Sequence, residues 1–229
     1  MRRQKDYWEQ HIMNWEKSAY NQSWSGSLIE KLATLFRGHI VHRKNTCKKM
    51  LIQEVKDRKL LELGCGTGGL LLELTREGLP LSAVGWEISQ EAARIGKETV
   101  ASSNLEDVCS ITCRDIEHSL EEVRFFDLVY GLGILEYLEQ ETLHLLFEQL
   151  KDCAFFFQYH RKCLSGKNLL HVVYRSLKRI PIYNQYSKSE IKKIYMKAGL
   201  PETDIQFLDE KGNSFVYRLP RTVTSTRFE

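Results

Sequence analysis

Leu60-Leu61-Glu62-Leu63-Gly64-Cys65-Gly66-Thr67-Gly68-Gly69 is the stretch around which the rest of the chain is arranged. An apolar run that ends in alternating glycines and is followed by the leucine-rich 70–74 reads as a buried parallel strand, a tight turn and the start of a helix. Glycines at 64, 66 and 68 can take positive φ and let the backbone come close to a ligand, and the helix N-terminus aims its N–H groups at negative charge. Each such glycine carries a conformational-entropy cost that an ordinary turn would avoid. The stretch therefore reads as a ligand cradle.

Two ligand classes fit it. Gly64, Gly66 and Gly69 satisfy the G-x-G-x-x-G spacing of dinucleotide-binding folds. Glu62, two residues before the first glycine, makes the pattern E-x-G-x-G-x-G, which resembles motif I of the class I methyltransferases that use S-adenosylmethionine. That resemblance implies that Glu62 serves the cofactor's ammonium group, often through water, and that Gly64, Cys65, Gly66 and Gly68 line the cofactor. A pyrophosphate gains nothing from a carboxylate at Glu62. An NAD(P)-dependent oxidoreductase and a non-catalytic S-adenosylmethionine-binding protein stand as the rival readings.

Downstream, strands and helices alternate as right-handed βαβ units require. A strand over 59–63, a helix over 69–77 and a strand over 82–86 lead to Glu87, at a strand end where an acid can take both ribose hydroxyls of either cofactor. Ile88-Ser89 resembles the family's "acid-x-S" motif, which implies that Ile88 packs on adenine. A helix over 90–102 and a strand over 109–113 run into Asp115 and Ile116, which by the same resemblance bind the adenine amino group and flank the ring. Phe125-Phe126-Asp127-Leu128-Val129-Tyr130 and the following 131–138 resemble "FDxVxxxxxLEHL", with Tyr137 where His is common. Gly131 would let the backbone pass the methionine part of the cofactor. This strand lacks the N/D-P-P-Y and Pro-Cys sequences of nucleic-acid base methylation, which points away from a nucleic-acid substrate. A helix over 140–149 and a strand over 153–158 deliver His160 to the rim, where its near-neutral intrinsic pKa makes it the first candidate base, with Tyr137, His171 and Tyr186 behind it.

The flanks read as additions to this core. Residues 1–55 are expected to form an N-terminal helical lid, and 56–229 the methyltransferase domain with an inserted helical cap over 161–193. Tyr7, Trp8, His11, Trp15, Tyr20 and Trp24 make the first segment aromatic, and lids in similar proteins place a Tyr or Trp over the cofactor, which nominates Tyr7 and Tyr20. In similar methyltransferases an arginine upstream of motif I holds the methionine carboxylate; of Arg37 and Arg43 the latter is favoured. Residues 167–180 alternate apolar and basic side chains, as a peripheral contact with an anionic membrane or lipid head group would. The segment 186–200 resembles the family's "YS-x-x-E... AGF" region and leads into a hairpin over 205–208 and 214–219 with its turn at 211–213. The fold class that follows is α/β, a Rossmann-like doubly wound sheet of seven strands, mostly parallel, with an antiparallel C-terminal hairpin.

Bulk properties agree. A chain of 229 residues, 42% hydrophobic, suits one α/β domain with appendages. It has no apolar window long enough to span a membrane and no signal-peptide core, so a cytoplasmic location is expected. Six cysteines without a C-x-x-C pair suit reduced thiols and no metal site. Net charge runs from +6 over 1–50 through −11 over 51–157 to +8 over 158–229. Basic flanks on an acidic core suit a small anionic acceptor, sugar- or lipid-linked.

Overall fold

Seven strands form one sheet in the order β3-β2-β1-β4-β5-β7-β6. The computed structural model describes residues 5–12, 41–162 and 184–220. Helix α1 covers 5–12 and α2 covers 41–51. They are followed by β1 (Lys59–Leu63), α3 (Gly69–Gly78), β2 (Ser82–Glu87), α4 (Gln90–Ser102), β3 (Cys109–Cys113), β4 (Leu128–Gly131), α5 (Gln140–Gln149), β5 (Ala154–Tyr159), α6 (Lys188–Lys197), β6 (Gln206–Glu210) and β7 (Asn213–Arg218). β1 to β5 are parallel, whereas β7 runs antiparallel to β5 and to β6. This is the doubly wound, mostly parallel architecture with a C-terminal hairpin that the alternation implied.

Strand parity sorts the core into two layers. Leu61 and Leu63 join Val129, Phe155, Phe157, Phe147, Ile191 and Tyr195 on the α5/α6 face. Leu60 joins Leu71, Leu74, Ala93, Tyr130 and Phe156 on the α3/α4 face. Each fully buried Leu or Phe contributes roughly 1.5–3 kcal/mol over leaving it exposed. Cys47, Leu51 and Val55, all fully buried, belong to this second layer. Helix α2 is thus a component of the sheet's covering layer, and a lid boundary at residue 55 cuts through its packing.

Helix ends and turns are held by identifiable bonds. Ser187 and Glu190 form a reciprocal capping box at the start of α6. Arg218 on β7 donates to the carbonyls of Leu150, Lys151 and Cys153, closing the C-terminus of α5. The hairpin turns at Lys211 (φ 47°) and Gly212 (φ 82°), while Asn213 already pairs with Glu210. β4 starts three residues later than the apolar run suggests, because 120–125 coil into a 3-10 turn that leaves Phe125 62% exposed. The strand begins where Asp127 meets Lys59: the carboxylate accepts the Lys59 N–H at 2.8 Å and the Asp127 N–H donates back at 2.9 Å. Among the described residues, no helix is long and apolar enough to cross a membrane, and the five cysteines are free.

Candidate active site

The carboxyl ends of β1 to β5 and the loops that follow them form one rim, as open α/β sheets require of a ligand site. At its centre the glycine loop turns with Gly64, Gly66 and Gly68 at φ +68°, +56° and +80°. The Gly64 and Cys65 N–H groups both donate to the Trp86 carbonyl, at 2.8 and 3.1 Å, tying the loop to β2. A Cβ on Gly68 would lie 2.3 Å from Ile111 Cδ1, so the chain's own packing requires that glycine as well. Gly68 caps α3 with no side-chain acceptor, and the first turn of α3 holds no acid. A helix N-terminus of this kind suits a ligand with negative or lone-pair character, although its Leu71 N–H is already given to Glu62. The Cys65 side chain is buried beneath the loop, with Sγ 2.6 Å from where a Gly85 Cβ would sit, and burial pushes its thiol well up. Cys65 can offer a ligand only its backbone.

On one side of this loop stands Glu87, 5% exposed. Its Oε2 accepts the Gly66 N–H at 2.8 Å and its Oε1 accepts the Ser89 N–H at 2.9 Å. Ser89 in turn accepts the Ala92 N–H at 3.2 Å as the N-cap of α4. Ile88 lies half-buried between them. At the end of β3, Asp115 accepts the Glu117 N–H at 3.1 Å and caps the short turn Ile116–His118, while Ile116 is buried in the α5/α6 layer.

Beneath the loop, Glu62 is also 5% exposed and accepts the Tyr130 hydroxyl at 2.8 Å on Oε2. Burial pushes its carboxyl up to about 8 against the Tyr130 bond, the Lys44 charge and the Leu71 N–H, with the Glu87 charge adding to the rise. Glu62 is thus a carboxyl that ionises at neutral pH once a cation is brought to it.

On the other side, Gly131 is needed by packing: a Cβ there would lie 2.8 Å from Ile134 Cγ2 and 2.9 Å from the Leu63 carbonyl. Gly133, at φ +73°, is surrounded by polar atoms; a Cβ there would have Arg43 Nη1 at 3.0 Å, Glu136 Oε1 at 3.3 Å and Gln158 Oε1 at 3.6 Å. Arg43 donates to Gln158 at 3.3 Å, and Glu136 and Gln158 are 5% and 6% exposed. Tyr137 meets Trp8 of α1 edge to face at 5.3 Å. His160, half-buried, follows β5, its carbonyl accepting the Tyr186 N–H at 3.0 Å. Tyr186 itself is 1% exposed and donates to the Leu138 carbonyl at 2.9 Å, and burial raises its phenol to about 12. It is a structural donor, which removes it from the candidate bases.

Helix α1 crosses this rim. Glu9 accepts the Gln90 and Glu91 N–H groups at 2.7 and 3.2 Å, at the N-terminus of α4, while Trp8 rests on Tyr137 beyond β4. One short helix thus touches both sides of the glycine loop. Tyr20, Arg37, His171 and the segment 167–180 lie outside the described residues.

Residues 60–154 match a family described as a methyltransferase domain. The match is a likeness over that segment, from β1 to the start of β5. Over 78 residues the chain is 33% identical to a sterol 4-C-methyltransferase of Caenorhabditis elegans, a match covering 34% of this chain and 23% of that protein. Over 94 residues it is 29% identical to a probable fatty acid methyltransferase of Mycobacterium tuberculosis, covering 41% of this chain and 21% of that protein. The chain therefore matches less than a quarter of the length of these relatives. Solved structures share the fold: magnesium protoporphyrin IX methyltransferase of Synechocystis PCC 6803, with bound S-adenosylhomocysteine, has a TM-score of 0.65 at 13% identity over 93% of this chain and 97% of that one. Geranyl diphosphate C-methyltransferase of Streptomyces coelicolor A3(2), in complex with Mg2+, geranyl diphosphate and S-adenosylhomocysteine, has a TM-score of 0.64 at 11% identity over 96% and 97%.

Strand order gives the rim a direction. Asp115, Glu87, the glycine loop and Gly133 follow one another along β3-β2-β1-β4, in steps of about 4.8 Å per strand. An elongated ligand can therefore touch all of them. Reading the sequence singles out the residues at β1, β2 and β3, and also Arg43, yet passes over Glu136 and Gln158. Glu136 lies within the quoted stretch 131–138, where the Tyr-for-His change at 137 draws attention instead. Gln158 is the one uncharged amide after Phe155-Phe156-Phe157, and a polar residue at the end of an apolar strand is the signal that could have found it.

Proposed function

We propose that this chain is a cytoplasmic S-adenosylmethionine-dependent methyltransferase acting on a small acceptor that is anionic and sugar- or lipid-linked. The observation that carries the reading is Glu87: a buried carboxylate at the end of β2 bonded to the glycine loop through Gly66 and to α4 through Ser89. A carboxylate at the end of a parallel strand has the acceptor chemistry that a ribose diol requires. The remaining residues fit the rest of the cofactor in chemical kind. Asp115, Ile88 and Ile116 would hold adenine, the glycine loop the sugar and sulfur region, Glu62 the ammonium and Arg43 the carboxylate. Bound S-adenosylmethionine supplies an electrophilic methyl group on a sulfonium.

What the chain itself must do is hold the acceptor in line and keep water out, and positioning of that kind is worth roughly 7–11 kcal/mol of barrier. Helix α1, joined to α4 by Glu9 and to Tyr137 by Trp8, would exclude water from the rim. An acceptor hydroxyl or ammonium must lose a proton, and His160 would take it at its imidazole. A lipid-linked acceptor is favoured by the sterol and fatty acid named for the two curated relatives. The same acceptor class gives residues 167–180 a reason for their basic, amphipathic sequence, a proposed contact with anionic lipid.

The test is transfer of an isotopically labelled methyl group from S-adenosylmethionine to a panel of sterols, fatty acids, phospholipid vesicles and sugar phosphates. The expected result is incorporation into one class, lost in His160→Ala with cofactor binding intact. Cofactor binding without turnover on any class would make the chain a binding protein.

A further inference from the structure

We propose that Glu136 and Gln158 are positioning residues that aim the Arg43 guanidinium at the carboxylate of the cofactor's methionine end. The inference rests on the cofactor assignment above and deepens it: it says what makes Arg43 fit for that role. Arg43 comes from α2, far in sequence from the strands whose loops it joins. A long side chain arriving at a rim keeps many rotamers unless something fixes it, and a guanidinium that is half-buried needs compensating charge.

Both needs are met around Gly133. Arg43 Nη1 donates to Gln158 Oε1 at 3.3 Å. Arg43 Nη1 and Glu136 Oε1 lie 3.0 and 3.3 Å from the same point, the place a Gly133 Cβ would occupy. Glu136 and Gln158 are almost wholly withdrawn from water, at 5% and 6% exposure, so they are fixed acceptors rather than mobile surface groups. Gly133 stands at φ +73°, where a side chain would be strained and its Cβ would crowd Arg43 and Glu136, which leaves the cluster its room.

Direction follows from topology. Gln158 is on β5 and Glu136 in the turn after β4, on the side of the glycine loop away from Glu87 and Asp115. If Glu87 takes the ribose, the amino-acid end of the same ligand must lie toward β4, where the Arg43 cluster is. A guanidinium has five N–H donors in a planar fork, so a bond to Gln158 is compatible with a bidentate grip on a carboxylate. The charges also match: Arg43 and Glu136 form one positive and one negative group, and a zwitterionic amino acid adds one of each sign. The site can therefore accept that end of the ligand without gaining net charge.

The experiment compares two ligands by calorimetry: S-adenosylmethionine, and decarboxylated S-adenosylmethionine, which keeps the ammonium and lacks the carboxylate. Glu136→Gln and Gln158→Met are each expected to weaken the first by about tenfold and to leave the second within about twofold of the parent. In an Arg43→Ala background, Glu136→Gln should cause no further loss, because it acts through that arginine. Equal losses for both ligands would overturn the proposal, as would an additive loss in the Arg43→Ala background or no loss in either single variant. If the parent chain binds neither ligand, the cofactor assignment falls and this proposal falls with it; if the parent binds both and the variants bind like it, only the positioning role is refuted. Decarboxylated ligand bound normally by Glu136→Gln also serves as the check that the variant is folded.

Discussion

At the β2–β3 end of the rim, three bonds join side chains to backbone two or three residues away, Glu87 to Ser89, Ser89 to Ala92 and Asp115 to Glu117, and the longer bond from Gly66 to Glu87 spans 21 positions. At the β4–β5 end, Arg43 reaches Gln158 across 115 positions of sequence. The first end is mostly local turns that each strand carries with it, and it doubles as the capping of α4 and, across the neighbouring strands β1 and β2, the anchoring of the glycine loop. The second exists only once α2, β4 and β5 have been brought together. The adenosine end should therefore be bound up with the stability of the fold, whereas the amino-acid end should be separable from it.

The largest expected effect tests that difference directly. Glu87→Ala leaves the buried Gly66 and Ser89 N–H groups without their acceptor, a loss of about 2–4 kcal/mol in stability together with about a hundredfold or more in cofactor affinity. Arg43→Ala should weaken cofactor binding and change the midpoint of thermal unfolding far less. Denaturant unfolding of both variants, paired with calorimetry, measures the two effects; a greater loss of stability in Arg43→Ala than in Glu87→Ala would reverse the comparison.

A second, intermediate effect separates Glu62 from Glu87. Glu62 has its carboxyl raised in the folded chain to about 8, so its contribution to stability is fully present below the ordinary carboxylate pKa and is lost as pH rises through 8. Between those limits stability should fall by at most ~1.4 kcal/mol per pH unit from this group, and Glu62→Gln should flatten that slope. An ammonium group brought to Glu62 stabilises its ionised form, so cofactor affinity should rise with pH over the same window and the complex should form with release of a proton. Titrations in two buffers of different ionisation enthalpy would show that proton; a pH-independent affinity would remove Glu62 from the ammonium's surroundings.

The smallest effect concerns α1. Removing the carboxylate in Glu9→Ala deprives the start of α4 of an acceptor on an exposed surface, worth about 0.5–1 kcal/mol. Dissociation of S-adenosylhomocysteine should quicken by about two- to fivefold, which stopped-flow displacement would resolve. An unchanged rate would mean that α1 does not close the rim.

The same local-against-distant contrast explains what the sequence revealed. The strand-helix alternation, the glycine turn and the place of Glu87 at a strand end are readable because period and turn chemistry are properties of a few neighbouring residues. The apolar pair Phe125-Phe126 continues the pattern of β4 in the sequence, and only the Lys59–Asp127 bonds show where pairing starts. Helix α2 lies inside the stretch expected as a lid, and a helical sequence does not state what its buried face meets; Cys47 and Leu51 lie in the α3/α4 layer. Tyr186 was a candidate base by residue type, and its bond to the Leu138 carbonyl is a contact over 48 positions that no spacing could announce. Glu136 and Gln158 are the same case on the functional side.

The central claim is that the rim is built for S-adenosylmethionine. Calorimetric titration of the purified chain with S-adenosylhomocysteine, with NADH as the rival, tests it most directly. Micromolar binding of S-adenosylhomocysteine and none of NADH is the predicted result. Binding of NADH alone would contradict the account and leave Glu62 as a structural partner of Tyr130.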